Sequence, residues 1–378
     1  MSVDKIRKVA VLQRVCPGYR LALFQELSRL KGYKLRLFIG DDLPNSKVKS
    51  ARDIDGVDLV RMNTKFVALG GDSPLVIHAG LFNALASFAP DLIVSEGESN
   101  LFSLLAALLY ARVKGIPVLH WSLGGLPGEA PKSGFRKLIR NLIRRRFDAF
   151  IVYSSFGKAC LVKDGMSSDK VFVAVNVPDV QRLLKRAEVV GTSKQQARKK
   201  IGVPDKFTIL YVGSMDTPCK RLELLVDIAR SLRPDDCNIV CVGDGQVRNK
   251  MVNEAQSLGL NHLFLPGAIN AGIDDYYLAA DLFVLPGRGG MVIAEAMAFG
   301  LPVIAYNADG TERDLIENGV SGVLLESGGV EDFVRVIRNL MIRNDHRREM
   351  SSNAKASISR FGLANMVSSI GSALECTR

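Results

Sequence analysis

Two stretches of this 378-residue chain hold residue types suited to an anion. The first, Leu282 to Asn307, reads LFVLPGRGGMVIAEAMAFGLPVIAYN: an apolar strand, a glycine turn, a helix stopped by Gly300 with Pro302 just beyond, and a second apolar strand. Gly287, Gly289 and Gly290 surround Arg288, and Met291 and Val292 open the helix. Small residues there leave backbone N–H groups pointing into open space, where the helix's partial positive charge favours an anion. Glu295 falls on the same helix face as Met291, about one turn further, within reach of a sugar hydroxyl. The plain alternative is a glycine turn that merely seats a helix on a sheet, with Glu295 an ordinary acid of its start. The second stretch, YVGSMDTPCKRLELL, is a strand ending at Gly213 and Ser214, followed by Lys220 and Arg221. Cations at a helix start oppose its dipole and so call for an anion, unless they are simply solvated.

Strand-like runs alternate with amphipathic helical runs along most of the chain, the pattern of doubly wound α/β sheets. Strands are expected at Val9 to Val15, Lys34 to Ile39, Leu59 to Met62, Leu92 to Ser95, Val118 to Leu123, Phe150 to Tyr153 and Val171 to Val175. Helices are expected at about Arg20 to Lys31, Leu75 to Phe88, Leu101 to Val113 and Phe135 to Phe147. The alternation breaks from Asn176 to Asp205, where a charged run through Lys185, Arg186, Lys194, Arg198, Lys199 and Lys200 reads as a solvated connection. It resumes with strands at Thr208 to Ser214, Asn238 to Gly243 and His262 to Pro266, and helices at Lys220 to Leu232, Gln246 to Leu258 and Ile273 to Ala280. Ligands of such sheets bind beyond the carboxyl ends of strands. The first-half turns to inspect are therefore Cys16-Pro17-Gly18-Tyr19, Glu96 to Asn100, and His120 to Gly125, which holds the only Trp.

The composition, 47% hydrophobic and 24% charged, is that of a soluble globular chain long enough for two domains. Its longest apolar candidate, Leu101 to Ala111, suffices only for a buried helix. The start MSVDKIRKVAVLQRV lacks a signal-peptide core, so secretion is not expected. Six scattered cysteines form no C-x-x-C pair, Cys237 and Cys241 read as packing in an apolar strand, and a reducing cytoplasm is the simplest reading. A net charge of +11 calls for acidic partners, and the absence of a nucleic-acid-binding signature turns that reading towards phosphorylated substrates or an anionic membrane. FRKLIRNLIRRRF is the membrane candidate: Phe135, Leu138, Ile139, Leu142 and Ile143 form one apolar stripe, with Arg136, Lys137, Arg140, Arg144 and Arg145 on the other faces. The stripe either docks on the membrane or packs on the sheet with its arginines solvated.

The segment LPGRGGMVIAEAMAFGLPVIAYNADGTERDLIENGVSGVLL resembles the donor-site signature of family 4 (group 1) retaining glycosyltransferases, which have the GT-B fold. In that family a Glu, seven residues and a second Glu flank the glycine loop, and the second binds the nucleotide ribose. Here the second is Glu295, and the first position, which usually contacts the donor sugar, falls on Gly287. YVGSMDTPCKRLELL is similar to the family's phosphate site, where an Arg follows the glycine and a Lys comes six residues later. Lys220 matches the Lys, Ser214 stands for the Arg, and Arg221 or Arg288 could supply the missing charge. HLFLPGAIN resembles the strand and turn whose backbone contacts the base, through Leu265, Pro266 and Gly267. In many members a His of the first domain faces the reaction centre. His120 is the candidate here, although counting from Pro117 that position falls near Ser122 to Gly124. Glu312 matches the family's Glu in the turn after Asp309-Gly310, with a structural role, and Thr311 with Asp314 reads as a capping pair.

The resemblance implies two Rossmann-like doubly wound α/β domains facing across a cleft: an acceptor-side domain at residues 1–185, a linker at 186–205, a nucleotide-sugar domain at 206–355, and a helix at 356–378 returning to the first. It implies a retaining hexosyl- or N-acetylhexosaminyltransferase using a UDP- or GDP-linked sugar and a lipid-linked or saccharide acceptor, in surface polysaccharide or glycan assembly. The expected place is the cytoplasm or the inner face of the membrane. Lys220 and the Gly289 and Gly290 amides would meet the charge that builds on the diphosphate. No D-x-D cluster stands beside these elements, Asp53-Ile54-Asp55 lying in an irregular early stretch, so no metal and no cofactor beyond the donor are expected. Nucleotide-sugar epimerase and non-catalytic sugar-nucleotide-binding subunit are the alternatives, the latter suited by the missing Glu and Arg.

Overall fold

The computed structural model describes residues 6–42, 49–67, 75–97, 101–128, 134–189, 191–216, 218–326 and 329–377. They form two compact units, Met1–Val175 with Leu363–Arg378, and Asn176–Gly362. Unit 1 runs β1 (Arg7–Gln13), α1 (Leu21–Ser28), β2 (Tyr33–Ile39), β3 (Asp58–Arg61), β4 (Thr64–Val67), β5 (Leu75–His78), α2 (Leu81–Phe88), β6 (Leu92–Glu96), α3 (Leu101–Lys114), β7 (Val118–Ser122), α4 (Phe135–Arg144), β8 (Ala149–Val152), α5 (Ser155–Lys163) and β9 (Val171–Val173). Unit 2 runs α6 (Val180–Val189), α7 (Lys194–Lys200), β10 (Phe207–Val212), α8 (Glu223–Ser231), β11 (Cys237–Val242), α9 (Gln246–Ser257), β12 (Leu263–Gly267), α10 (Ile273–Ala279), β13 (Leu282–Leu285), α11 (Gly290–Ala298), β14 (Val303–Tyr306), α12 (Glu312–Leu315), β15 (Gly322–Leu325), α13 (Val330–Ile342) and α14 (Asn344–Ile358). The last helix, α15 (Leu363–Glu375), belongs to unit 1.

Each unit is built on a parallel sheet, in the order β3-β2-β1-β6-β7-β8-β9 in unit 1 and β12-β11-β10-β13-β14-β15 in unit 2. The strands are apolar almost throughout because helices cover both faces. In unit 1, α1 and α15 cover one face through Phe24, Leu27, Met366 and Ile370, and α2 to α5 cover the other through Leu85, Leu104, Ile143 and Leu161. Successive residues of β7 point to opposite faces, so Trp121 joins the first cluster and His120 turns to the second. No helix among the described residues is long and apolar enough to cross a membrane.

Three expectations need correction. The run Leu75 to Phe88 is not one helix: its first four residues form β5, antiparallel to β4, and Gly80 at φ 75° turns the chain into α2. β-Branched Val76 and Ile77 suit a strand, and glycine takes the left-handed turn without a steric penalty. The stretch 186–205, read as a solvated linker, is part of unit 2. There α7 starts with a Ser193–Gln196 capping box, buried Arg198 bonds Asp281 and Asp205, and Arg186 pairs with Asp274. Its charges looked solvated because their carboxylate partners in 274–281 lie far along the chain. Finally, the helix expected from Lys220 begins at Glu223, because Arg221 adopts a left-handed φ of 52°.

Candidate functional site

In unit 2 the strand order reverses between β10 and β13, and both loops carrying the chemistry leave the carboxyl ends of these adjacent strands. Open parallel sheets bind ligands at such a point. One loop passes Gly213 and Ser214 into a 3-10 turn (Pro218–Lys220), and the other passes Gly287, Arg288 and Gly289 into α11. Their backbones touch: the Arg288 N–H donates to the Cys219 carbonyl at 3.0 Å. A Cβ added at Gly287 would stand 2.2 Å from that carbonyl oxygen. Glycine at 287 is therefore demanded by the crossing of two loops, and a Glu there would force them apart.

Lys220 spans the same crossing, its Nζ donating to the Arg288 carbonyl. A Cβ added at Gly289 would be 3.5 Å from that Nζ, so the ammonium and the glycine loop share one space. Burial pulls the Lys220 pKa below the usual lysine range; Arg288 pushes the same way, and Cys219, Asp309 and Glu312 push against it. Lys220 is thus a half-buried cation with a second cation nearby, a pairing that an anion relieves.

The start of α11 meets the turn at Asp309-Gly310 that precedes Glu312. Asp309 brings its carboxylate to 3.4 Å from the Gly290 N–H and accepts from the Thr311 N–H at 2.9 Å. Fully buried Glu312 accepts from the Asp309 N–H at 3.2 Å and the Gly310 N–H at 2.8 Å, which fixes the turn. Burial first, and the Asp309 charge second, push the Glu312 pKa up to about 7. The expected Thr311 cap is corrected: Thr311 makes no side-chain capping bond, and its Cβ stands 3.0 Å from where a Gly290 Cβ would be. Arg221 lies over the Tyr306 ring, 4.8 Å from its centroid, at the end of β14.

Other predicted residues are placed as follows. Met291 and Val292 are partly exposed in the first turn of α11. Glu295 is half-buried and accepts from the Tyr277 hydroxyl at 2.7 Å, which aims its carboxylate towards α10; burial raises its pKa, and that bond lowers it. Gly213 abuts Gly243, whose added Cβ would be 1.9 Å from the Gly213 carbonyl oxygen. Ser214 donates to Asp216 at 3.1 Å, and Asp216 accepts from the Gln246 N–H at the start of α9. The Leu265 carbonyl accepts from Arg248, and Gly267, at φ 92°, accepts from the Gly243 N–H.

Among the residues missed, Asp309, Arg248, Tyr277 and Tyr306 hold the predicted ones in place. Only Asp309 left a local signal, the Asp-Gly of its turn. His120, proposed as catalytic, sits in the interior of β7 in unit 1, 3% exposed, with ring centroids 4.7 Å from Phe147 and 6.0 Å from Phe150. Burial, helped by Arg144, lowers its pKa to about 3. It packs as a core histidine, with its Cε1 3.6 Å from where a Cβ on Gly97, the residue after β6, would stand.

Residues 193–357 match the family model described as glycosyl transferases group 1. Sulfoquinovosyl transferase SQD2 of Arabidopsis thaliana is 24% identical over 299 residues, 76% of this chain and 57% of that protein. D-inositol 3-phosphate glycosyltransferase of Streptosporangium roseum is 32% identical over 187 residues, 45% of this chain and 42% of that protein. The chain thus spans about half the length of these curated relatives. A crystal structure of Anabaena Alr3699/HepE in complex with UDP and glucose superposes with a TM-score of 0.74 at 20% identity, covering 98% of this chain and 99% of that one.

Proposed function

We propose that this chain, which carries a group 1 glycosyltransferase domain at residues 193–357 and has the GT-B fold, transfers a sugar from a nucleoside diphosphate sugar with retention of anomeric configuration. The carrying observation is the contact of Lys220 with the 287–290 loop at the reversal of the unit 2 sheet. As the bond between the anomeric carbon and the diphosphate oxygen breaks, negative charge grows on the leaving diphosphate. Lys220 and the Gly289 and Gly290 amides meet it, with the positive end of α11 behind them. Arg288 supplies further charge, taking the part of the Arg replaced by Ser214, whose hydroxyl is turned to Asp216. Glu295, oriented by Tyr277, binds the ribose, and Leu265 with Gly267 borders the base. The UDP held by Alr3699/HepE supports a uridine donor as the first to try, with GDP-linked sugars next. The acceptor is a lipid-linked or other saccharide in glycan assembly at the cytoplasmic face of the membrane.

A second reading has one specific observation behind it: with no room for an acid at 287, the loop lacks the residue that usually contacts the donor sugar in the resembled family, which suits a binding subunit without turnover. One experiment separates the readings. The chain is incubated with a panel of nucleotide sugars, with and without extracted lipid-linked saccharides, and followed by mass spectrometry. Free nucleoside diphosphate with a glycosylated acceptor is the expected result. Nucleotide-sugar binding without any turnover would establish the second reading, and conversion of the sugar nucleotide alone would establish an epimerase.

A further inference from the structure

The geometry points to a docking surface for an anionic lipid bilayer on the outer side of helices α2 to α5 in unit 1. All four pack on the same face of the seven-stranded sheet. Outward, α3 shows Phe102, Leu105, Leu109 and Val113, recurring at helical spacing and 41, 42, 59 and 67% exposed. Phe82 on α2 and Leu138 and Leu142 on α4 add to this surface at 41, 57 and 51%. The Phe82 ring touches Tyr110 of α3, centroids 5.2 Å apart, which joins the first two ridges. Single exposed hydrophobics need no explanation, but a ridge of them along neighbouring helices does.

Charge selects the occupant. The sequences of α2, α3, α4 and α5 contain no Asp or Glu, while Arg112, Lys114 and Lys163 stand exposed on them, and exposed Arg145 and Arg146 follow α4. Two copies meeting through this face would set cation against cation, whereas a bilayer of anionic headgroups complements it. The acid at the end of α5, Asp164, is taken up by Arg140 at 3.0 Å and Arg144 at 2.6 Å. The apolar stripe expected on α4 is split, Ile143 packing inward on the core while Leu138 and Leu142 stay exposed. Arg140 and Arg144 are turned inward to hold the helix, and Leu138 and Leu142 face out.

At the edge of the sheet where α3 ends and β7 starts, a cavity of about 810 Å³ is lined by Leu109, Arg112, Arg146 and Lys170, with Thr377 from beyond α15 on its far side. Asp148 also lines it, with a carboxylate oxygen accepting from the Val118 N–H at 2.8 Å. Three cations beside an exposed leucine suit a lipid phosphate, with the acyl boundary covering Leu109 and Val113.

The surface rests on unit 1 alone and does not depend on the donor reading. The full chain should co-sediment at low salt with vesicles of mixed phosphatidylglycerol and phosphatidylcholine, and far less with phosphatidylcholine alone. Leu109→Asp with Val113→Asp should lower that partitioning roughly tenfold or more, and Arg112→Glu with Arg146→Glu comparably, with nucleotide-sugar hydrolysis and circular dichroism unchanged. Should the first pair fail to fold, Leu138→Asp with Leu142→Asp makes the same test on α4. Wild type that stays in the supernatant, or variants that sediment like wild type, would overturn the proposal. So would a dimer in analytical ultracentrifugation that Leu109→Asp dissociates, which would give the face to a second copy.

Discussion

The two units present the same kind of edge and fill it differently. In unit 1 the strand order reverses between β1 and β6, and the polar groups at those strand ends bond one another. Arg20, 8% exposed, donates to Gln13 and Tyr153 and lies 5.4 Å from the Trp121 ring centroid, and Glu96 accepts from the Arg14 N–H. In unit 2 the corresponding edge between β10 and β13 is crossed by two glycine-lined loops, with one lysine spanning the crossing. Backbone amides and a cation gathered around a helix start form a place for an anion, whereas a cation already enclosed by aromatic rings and an amide is a fold element. The shared fold sets where a ligand could bind, and loop chemistry decides which edge is equipped for one.

The sharpest way to break this comparison is Gly287→Ala. A methyl group 2.2 Å from the Cys219 carbonyl oxygen must part the two loops. A displacement of about 1 Å can cost roughly a hundredfold in rate, and loss of the Lys220 alignment adds to it. Steady-state transfer and nucleoside diphosphate titration should both collapse, and wild-type values would show that the crossing does not shape the site. Next comes Lys220→Ala, expected to slow turnover roughly a hundredfold, since a lost transition-state donor typically costs about 2.7–4 kcal/mol. Because burial lowers the Lys220 pKa in the donor-free protein, kcat/KM should also fall on the alkaline side below the ordinary lysine value of about 10.4.

Arg20→Met sharpens the other half of the comparison. Removing the guanidinium leaves buried Gln13 and Tyr153 short of a partner, at about 1–3 kcal/mol for each group left unsatisfied. Chemical denaturation should report a loss of about 3 kcal/mol, while donor hydrolysis per folded molecule stays unchanged. Equal loss of hydrolysis would make Arg20 part of the chemistry and erase the contrast.

Both sheets were legible in the sequence because apolar strands and glycine-stopped helices repeat locally. The glycine turn that opens α11 was legible too, being a local pattern, whereas Lys220 was marked by the resemblance of its stretch to a phosphate site. What failed to show depends on distant partners. The arginines of α6 and α7 looked solvated because Asp274 and Asp281 come some eighty residues later. Likewise the inward turn of Arg140 and Arg144 on α4 did not show, because their partner Asp164 lies beyond another strand and helix. His120 was drawn towards chemistry by its residue type, while the rings enclosing it come from 147 and 150. Asp309 escaped because its approach to Gly290 depends on the β14 turn being locked by Glu312.

That lock supplies the smallest predicted effect and ties the edge of unit 2 to pH. The Glu312 carboxyl titrates at about 7 in the fold against 4.5 for an ordinary Glu, because it is buried first and faces Asp309 second. The folded chain therefore holds its proton more tightly than the unfolded chain does. The resulting stability is fully present below pH 4.5, drains away as pH rises, and is gone above about 7. Glu312→Gln cannot titrate, so it should be less sensitive to pH across this window. It also loses part of the acceptor capacity that serves the Asp309 and Gly310 N–H groups, which lowers stability by a constant amount at every pH. The quantity to read is thus the change with pH of the stability difference between wild type and variant. From pH 5 to 8 it should move against wild type by on the order of 2 kcal/mol, a unit of pKa shift being worth about 1.4 kcal/mol. Denaturation curves at each pH measure it, and a difference that stays flat would mean that Glu312 holds the turn without a proton, its N–H bonds outweighing burial.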